Sequence, residues 1–175
     1  EVGLAQRAEL LNAILADLYG EQRLLRDGLV PPALVLGHPG FVRTMARRSI
    51  TDPRPLVLAA TDLGRDDQGD WRVLADRTQA PSGLGYAMEN RRVLSRVVPE
   101  MYRAAGLHRM EPFFSALRSA LLQSAAGDLA DPRVVVLSPG TASETAYDQS
   151  FIASALGFPL VQGSDLVVRD GWVQM

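Results

Sequence analysis

Arg133-Val-Val-Val-Leu137, then Ser138-Pro-Gly-Thr-Ala-Ser-Glu-Thr145, then a helical run to about Leu156 and Gly157-Phe-Pro-Leu-Val161 decide the fold class. The first segment is a short apolar run of the kind buried on both faces of a sheet. The second is a polar turn with proline and glycine. Strand, helix and strand within about 30 residues make a βαβ unit, with a parallel pair and a right-handed crossover. Further on, Asp165-Leu-Val-Val-Arg-Asp-Gly-Trp-Val-Gln174 reads as a hairpin turning at Asp170-Gly171. The sequence opens at Glu1 without methionine and stops at Met175 just past that hairpin, so a piece of a longer protein is expected.

Working back from the βαβ unit, Glu111 to Ala126 predicts a helix with Pro112 in its first turn and Gly127 at its end. Another helix runs from the loop before Met88 to about Tyr102. Pro55 to Leu63 and Trp71 to Ala75 predict an antiparallel hairpin across the polar turn Gly64 to Asp70. Leu4, Ala8, Leu11, Leu15, Leu18, Tyr19 and Leu25 fall on one stripe, predicting a long amphipathic helix over 3–27 that stops at Asp27-Gly28. Such a stripe is a packing face, or a face that docks on another subunit. A short helix is expected over Phe41 to Arg48, with Arg43, Arg47 and Arg48 forming a basic edge that is either a solvated face or an anion contact. The fold class is therefore α/β: a small mixed sheet with a parallel βαβ unit and antiparallel hairpins, preceded by a long amphipathic helix. The weakest boundary lies at 50–55, dividing a helical segment 1–50 from an α/β domain 51–175.

Composition narrows the chemistry. The 175 residues are 47% hydrophobic and 22% charged, enough apolar material for a packed core. A net charge of −2 argues against a general polyanion binder, so no nucleic acid is expected. There is no cysteine, which excludes disulfides, thiolate metal sites and cysteine nucleophiles. All 18 basic residues are arginine, which removes any P-loop or Schiff-base lysine from these residues. His38 and His108 show no metal-ligand pattern. No apolar run approaches the roughly 18 residues that span a bilayer and no leader is visible, so a cytoplasmic chain without membrane contact is expected.

Two loops can carry chemistry. Ser138 to Thr145 leaves the carboxyl end of a parallel strand and enters a helix, the edge where open α/β sheets bind ligands. Thr141 or Ser143 can cap that helix, or the free N–H groups there can meet an anion. Asp76 to Arg91 is denser in polar groups than a turn requires: Asp76, Arg77, Thr78, Gln79, Ser82, Tyr86, Glu89, Asn90 and Arg91. Gly83 and Gly85 allow close backbone approach there. Asp62 lies across the hairpin from residues near Val73 to Asp76, and two carboxylates converging there can hold magnesium through oxygen. Ala80-Pro-Ser-Gly-Leu84 lacks the first glycine of a nucleophile elbow, and no G-x-G-x-x-G follows a strand in the right unit.

The blocks Ala75–Arg92, Leu24–Pro32 and Gly157–Gly171 resemble the circularly permuted ATP-grasp family of large bacterial proteins, over nearly the whole chain and in order. The resemblance implies a pre-ATP-grasp-like fold and ATP-dependent carboxylate–amine, peptide-type ligation through an acyl phosphate. The hairpin is more distantly similar to glutathionylspermidine synthetase. There a strand Asp, and a Glu and an Asn on the returning strand, hold magnesium at the nucleotide. Asp62 takes the first position. Asp76 and Thr78 take the others with a one-residue slip, and Arg77 and Gln79 stand where that pattern has no such residues.

By this resemblance Asp62 and Asp76 are candidate metal ligands. Asp76, Thr78, Gln79, Gly83, Thr141 and Ser143 are candidate cofactor contacts, and Arg77, Ser82, Asn90 and Arg91 candidate catalytic and substrate-positioning residues. ATP and magnesium are the implied cofactors; a small carboxylate and an amine or peptide are the implied substrates. The family's glycine-rich lid, nucleotide lysines and later acidic ligands would follow residue 175, making that C-terminal half the implied partner. The rival reading is a binding or scaffold module that keeps the fold without the chemistry.

Overall fold

A computed structural model describes residues 1–46, 55–125 and 132–175. The chain divides into two compact units, Glu1–Pro81 and Ser82–Met175.

The first unit opens with helix α1 (Val2–Tyr19) and a one-turn α2 (Arg23–Arg26). The single helix expected over 3–27 is thus two. Gly20 ends the first, and the Asp17 carboxylate accepts the N–H groups of Arg23 and Leu24 at 2.9 and 3.0 Å, capping the second from outside it. Those N–H bonds, that of Leu24 foremost, hold the Asp17 carboxyl below its ordinary pKa. A short α3 (Pro32–Leu36) begins on proline, and a 3-10 turn covers Arg43–Met45. Tyr19 stacks on Phe41 at 5.0 Å and its hydroxyl accepts the Val42 N–H. Arg47, Arg48 and all but the last residue of the expected 50–55 boundary lie outside the described residues.

Strands β1 (Ala60–Arg65) and β2 (Trp71–Arg77) form the predicted antiparallel hairpin, with Asp62 opposite Ala75 and Thr61 opposite Asp76. Asp66 makes the turn by accepting the N–H groups of Gln68 and Asp70. No side chain of α1 is buried. Its Leu4 and Leu10, with Leu63, Trp71 and Val73 of the hairpin, line an open groove of about 770 Å³.

The second unit holds helices α4 (Leu84–Val97), α5 (Pro99–Ala104), α6 (Glu111–Gln123) and α7 (Ala146–Leu156). The helix expected to reach Tyr102 breaks at Val98, because Pro99 disfavours a helical conformation in the residue before it. Helix α6 ends at Gln123, short of the expected Ala126; Ala126 and Gly127 themselves lie outside the described residues. Strands β3 (Val136–Leu137) and β4 (Leu160–Val161) pair in parallel, flanking α7 as the βαβ reading requires. Both are shorter than expected, and Leu137 is exposed rather than buried on both faces. Pro159 accepts the Val136 N–H but has none of its own with which to extend the ladder. Gly157 ends α7 at φ +68°, and the Phe158 N–H returns to the Ala153 carbonyl, a Schellman-type stop. Strands β5 (Val167–Arg169) and β6 (Trp172–Gln174) close the predicted hairpin, with Asp170 and Gly171 both left-handed.

The α/β class therefore holds. Among the described residues its strands form three two-stranded ladders, one parallel and two antiparallel. The core is small and lies in the second unit, where Leu117, Ala153, Leu156, Phe158 and Val161 are buried.

Candidate functional site

The polar run 76–91 is shared between the units. Asp76 to Gln79 close the first, and Ser82 to Arg91 open the second.

In the first unit each candidate metal ligand is engaged by an arginine. Asp76 takes the Arg7 guanidinium in a forked pair, closest at 2.6 Å, and accepts the Thr61 hydroxyl at 3.1 Å. Its side chain is only 14% exposed. The Arg7 hydrogen bond holds the Asp76 carboxyl below its ordinary pKa, with Thr61 adding to the effect. Asp62 accepts both Nε and Nη2 of Arg77 at 3.1 and 2.9 Å. Side chains alternate along a strand, and Asp76 faces Thr61 while Asp62 faces Ala75. The two carboxylates thus lie on opposite faces of the hairpin. Thr78 and Gln79 are exposed and make no hydrogen bond among the described residues.

In the second unit the loop entering α4 is held from a distance. Gly83 occupies the cap position and offers no side chain. The Asp148 carboxylate of α7, 2% exposed, accepts the Gly83 N–H at 2.8 Å and the Gly85 N–H at 2.5 Å. Its negative charge also suits the positive end of α4. A Cβ on Gly85 would stand 2.9 Å from both Asp148 Oδ1 and Phe151 Cβ, so only glycine lets α4 pack this close to α7. Ser82 and Asn90 are exposed, and their side chains make no hydrogen bond among the described residues. Arg91 donates to the His108 carbonyl at 2.5 Å.

The 138–145 loop is fastened to α7. Ser138, 4% exposed, donates to Gln149 Oε1 at 2.5 Å and accepts the Gly140 N–H. The Gln149 amide donates to Thr145 and Ser143 hydroxyls, and Ser143 accepts the Thr145 N–H. Ser143 is thus spent within the loop. Thr141 is exposed without a hydrogen bond among the described residues, and neither caps α7, whose cap residue is Thr145.

Three contributors are hidden from a reading of the sequence: Arg7, Asp148 and Gln149. The first stands off the apolar stripe and reads as solvent-facing; the other two sit inside a helix whose polar residues have no evident partner.

The arginine pair makes a testable contribution to stability. A carboxylate with a depressed pKa stabilises the fold above its unfolded value, near pH 4, and that contribution is lost as pH falls through the folded value. Arg7→Gln is expected to flatten the fall in melting temperature between about pH 5 and 2. The slope should not vanish, because Asp66 is also held low by its bond from Arg72, as is Asp17 by its backbone bonds. An unchanged acid slope would show the pair contributes nothing in solution.

The sequence model of the circularly permuted ATP-grasp type 2 family matches residues 1–175. The chain belongs to that family, whose ATP-grasp fold is of the ATP-dependent ligase type and whose members generally bind ATP and magnesium. An uncharacterized protein of Mycobacterium tuberculosis is 50% identical over 175 residues, covering 100% of this chain and 20% of the relative. An uncharacterized protein of Synechocystis sp. is 40% identical over 177 residues, covering 100% of this chain and 36% of the relative. A further one from Mycobacterium leprae is 40% identical over 175 residues, covering 100% and 31%. The chain thus spans between a fifth and little more than a third of these relatives.

The residues here do not fit a magnesium site by themselves. Asp62 and Asp76 face apart, each neutralised by an arginine, and no group of three His, Asp or Glu among the described residues is placed to hold a metal. Among the described residues no helix is long and apolar enough to cross a membrane.

Proposed function

We propose that this chain is the substrate-side part of a longer ATP-dependent carboxylate–amine, peptide-type ligase. The observation that carries the reading is the family match over residues 1–175. In this reading the protein is cytoplasmic, and the helical segment 1–50 precedes an α/β domain that continues into the remainder of the longer protein. Its substrates are a small carboxylate and an amine or peptide. The remainder supplies the nucleotide and metal contacts that Asp62 and Asp76 cannot make while they face apart. The chain's own residues bind and orient. Arg77 is fixed by Asp62, and its remaining N–H groups, which make no hydrogen bond among the described residues, can meet a carboxylate or phosphoryl oxygen. Ser82, Asn90 and Arg91 are polar groups on the first two turns of α4 and the loop before it, a segment that Asp148 holds in place. Of the other candidate contacts, Thr78 and Gln79 in the first unit and Thr141 in the second keep side chains without a hydrogen bond among the described residues, whereas Gly83 and Ser143 are already bonded within their own unit.

The test is ATP consumption by the longer protein, followed as ADP and phosphate release against panels of carboxylates and amines. Release stimulated by a carboxylate–amine pair, and reduced roughly tenfold or more in Arg77→Ala, is the expected outcome. No ATP consumption with any pair overturns the ligase reading. Full activity in both Arg77→Ala and Asp62→Ala removes this hairpin from the site.

One observation favours the rival, a non-catalytic binding module: both hairpin carboxylates are committed to internal arginine pairs. The remainder of the longer protein discriminates, since a module would lack the glycine-rich lid and acidic metal ligands that an enzyme needs.

A further inference from the structure

A second concavity lies wholly within the Ser82–Met175 unit, between α4, α5, α6 and the face of α7 that carries Phe151. Its volume is about 430 Å³, within the range of small-molecule sites. Among the described residues five charged side chains line it. Arg92 is paired with Glu89 on α4, so those two cancel. Glu111 is the first residue of α6, where the helix N-terminus already favours a carboxylate. That leaves Arg91 and Arg109. Among the described residues the Arg91 guanidinium bonds only to the neutral His108 carbonyl, a contact that fixes it and anchors the segment carrying Arg109. Arg109 makes no hydrogen bond or ion pair among the described residues. Beside these two cations stand Phe114 and Phe151, whose ring centroids are 6.1 Å apart, and Met110.

We propose that this pocket binds a small monocarboxylate with an aromatic or branched apolar body, its carboxylate held by Arg91 and Arg109 and its body against Phe114, Phe151 and Met110. Arginine is suited to this because its planar fork meets both oxygens of a carboxylate. The local surplus is one positive charge, three arginines against two glutamates, which matches a monoanion. A triphosphate carries several negative charges and needs more cations or a metal. The apolar floor selects for the body, because burying it removes both ligand and ring surface from water. The inference concerns binding alone, so it survives a failure of the ligase reading.

The test is an NMR titration of the chain with N-acetylphenylalanine, acetate, phenylalaninamide and inorganic phosphate. Saturable binding of N-acetylphenylalanine at or below about 1 mM is expected, with no saturation by phenylalaninamide and much weaker binding of acetate. Arg109 is exposed, so Arg109→Gln is expected to leave the fold intact and to weaken the first ligand roughly tenfold. No saturable binding, or binding unchanged in Arg109→Gln, overturns the proposal. Phosphate binding as tightly as N-acetylphenylalanine also overturns it, in favour of an unselective anion site.

Discussion

Asp148→Ala is expected to destabilise the Ser82–Met175 unit by about 3 kcal/mol, the largest single effect outside the apolar core. The carboxylate is 2% exposed and is the acceptor for two backbone N–H groups at the start of α4. Removing it leaves the buried Gly85 N–H and the half-buried Gly83 N–H without their acceptor. It also removes the negative charge that the α4 N-terminus faces. Asp148→Asn keeps one accepting oxygen and is expected to lose about half as much. Urea denaturation supplies the free energies. Hydrogen exchange adds a local readout, because the Gly83 and Gly85 amides should lose protection before those within α6. An Asp148→Ala chain within about 0.5 kcal/mol of the parent would mean that loop 82–85 is held by other contacts.

Elements set by local chemistry are legible in the sequence; those set by distant partners are not. The β5–β6 turn follows from Asp170-Gly171, because two consecutive left-handed residues suit the twist of a tight hairpin. The α7 stop follows from Gly157 for a similar reason. The break between α1 and α2 is hidden. The apolar stripe continues through it, while the cause is the Asp17 side chain bonding six and seven residues ahead. Asp148 is hidden more deeply, since its partners lie 65 and 63 residues away in the chain. A lone acid in the first turn of a helix reads as a dipole partner, not as the cap of another helix.

The candidate site shows the same division. Polar density draws attention to residues 76–91, yet proximity in sequence does not settle which side chains meet. Asp62 and Asp76 each lie close to the opposite strand, but a period of two residues assigns the face. The pairing of Thr61 with Asp76 turns Asp76 away from Asp62. Each carboxylate then meets an arginine on its own face, one of them from α1. Register and long-range ion pairs depend on the assembled fold, and composition holds no trace of them.

The same substitution in two helices is expected to act with opposite sign, which tests whether close approach rather than helix propensity explains Gly85. Gly3 lies in α1 with nothing within 4 Å of the place a methyl would take, so Gly3→Ala should stabilise by about 0.5–1 kcal/mol through reduced freedom of the unfolded chain. Gly85→Ala gains the same unfolded-state term but places its methyl 2.9 Å from Asp148 Oδ1 and from Phe151 Cβ. The nearest atoms sit at the base of one side chain and on a carboxylate tied to two N–H groups, so neither can swing aside cheaply. Relief requires α4 to move off α7, which stretches the Asp148 bonds and opens the contact between Tyr86 and Tyr147, whose rings lie 5.1 Å apart. The net cost is expected to be about 2 kcal/mol. Because the methyl and the carboxylate compete for one space, Gly85→Ala and Asp148→Ala should be less than additive when combined. Additive losses, or a stabilising Gly85→Ala, would mean that α4 and α7 are not packed as closely as this geometry requires.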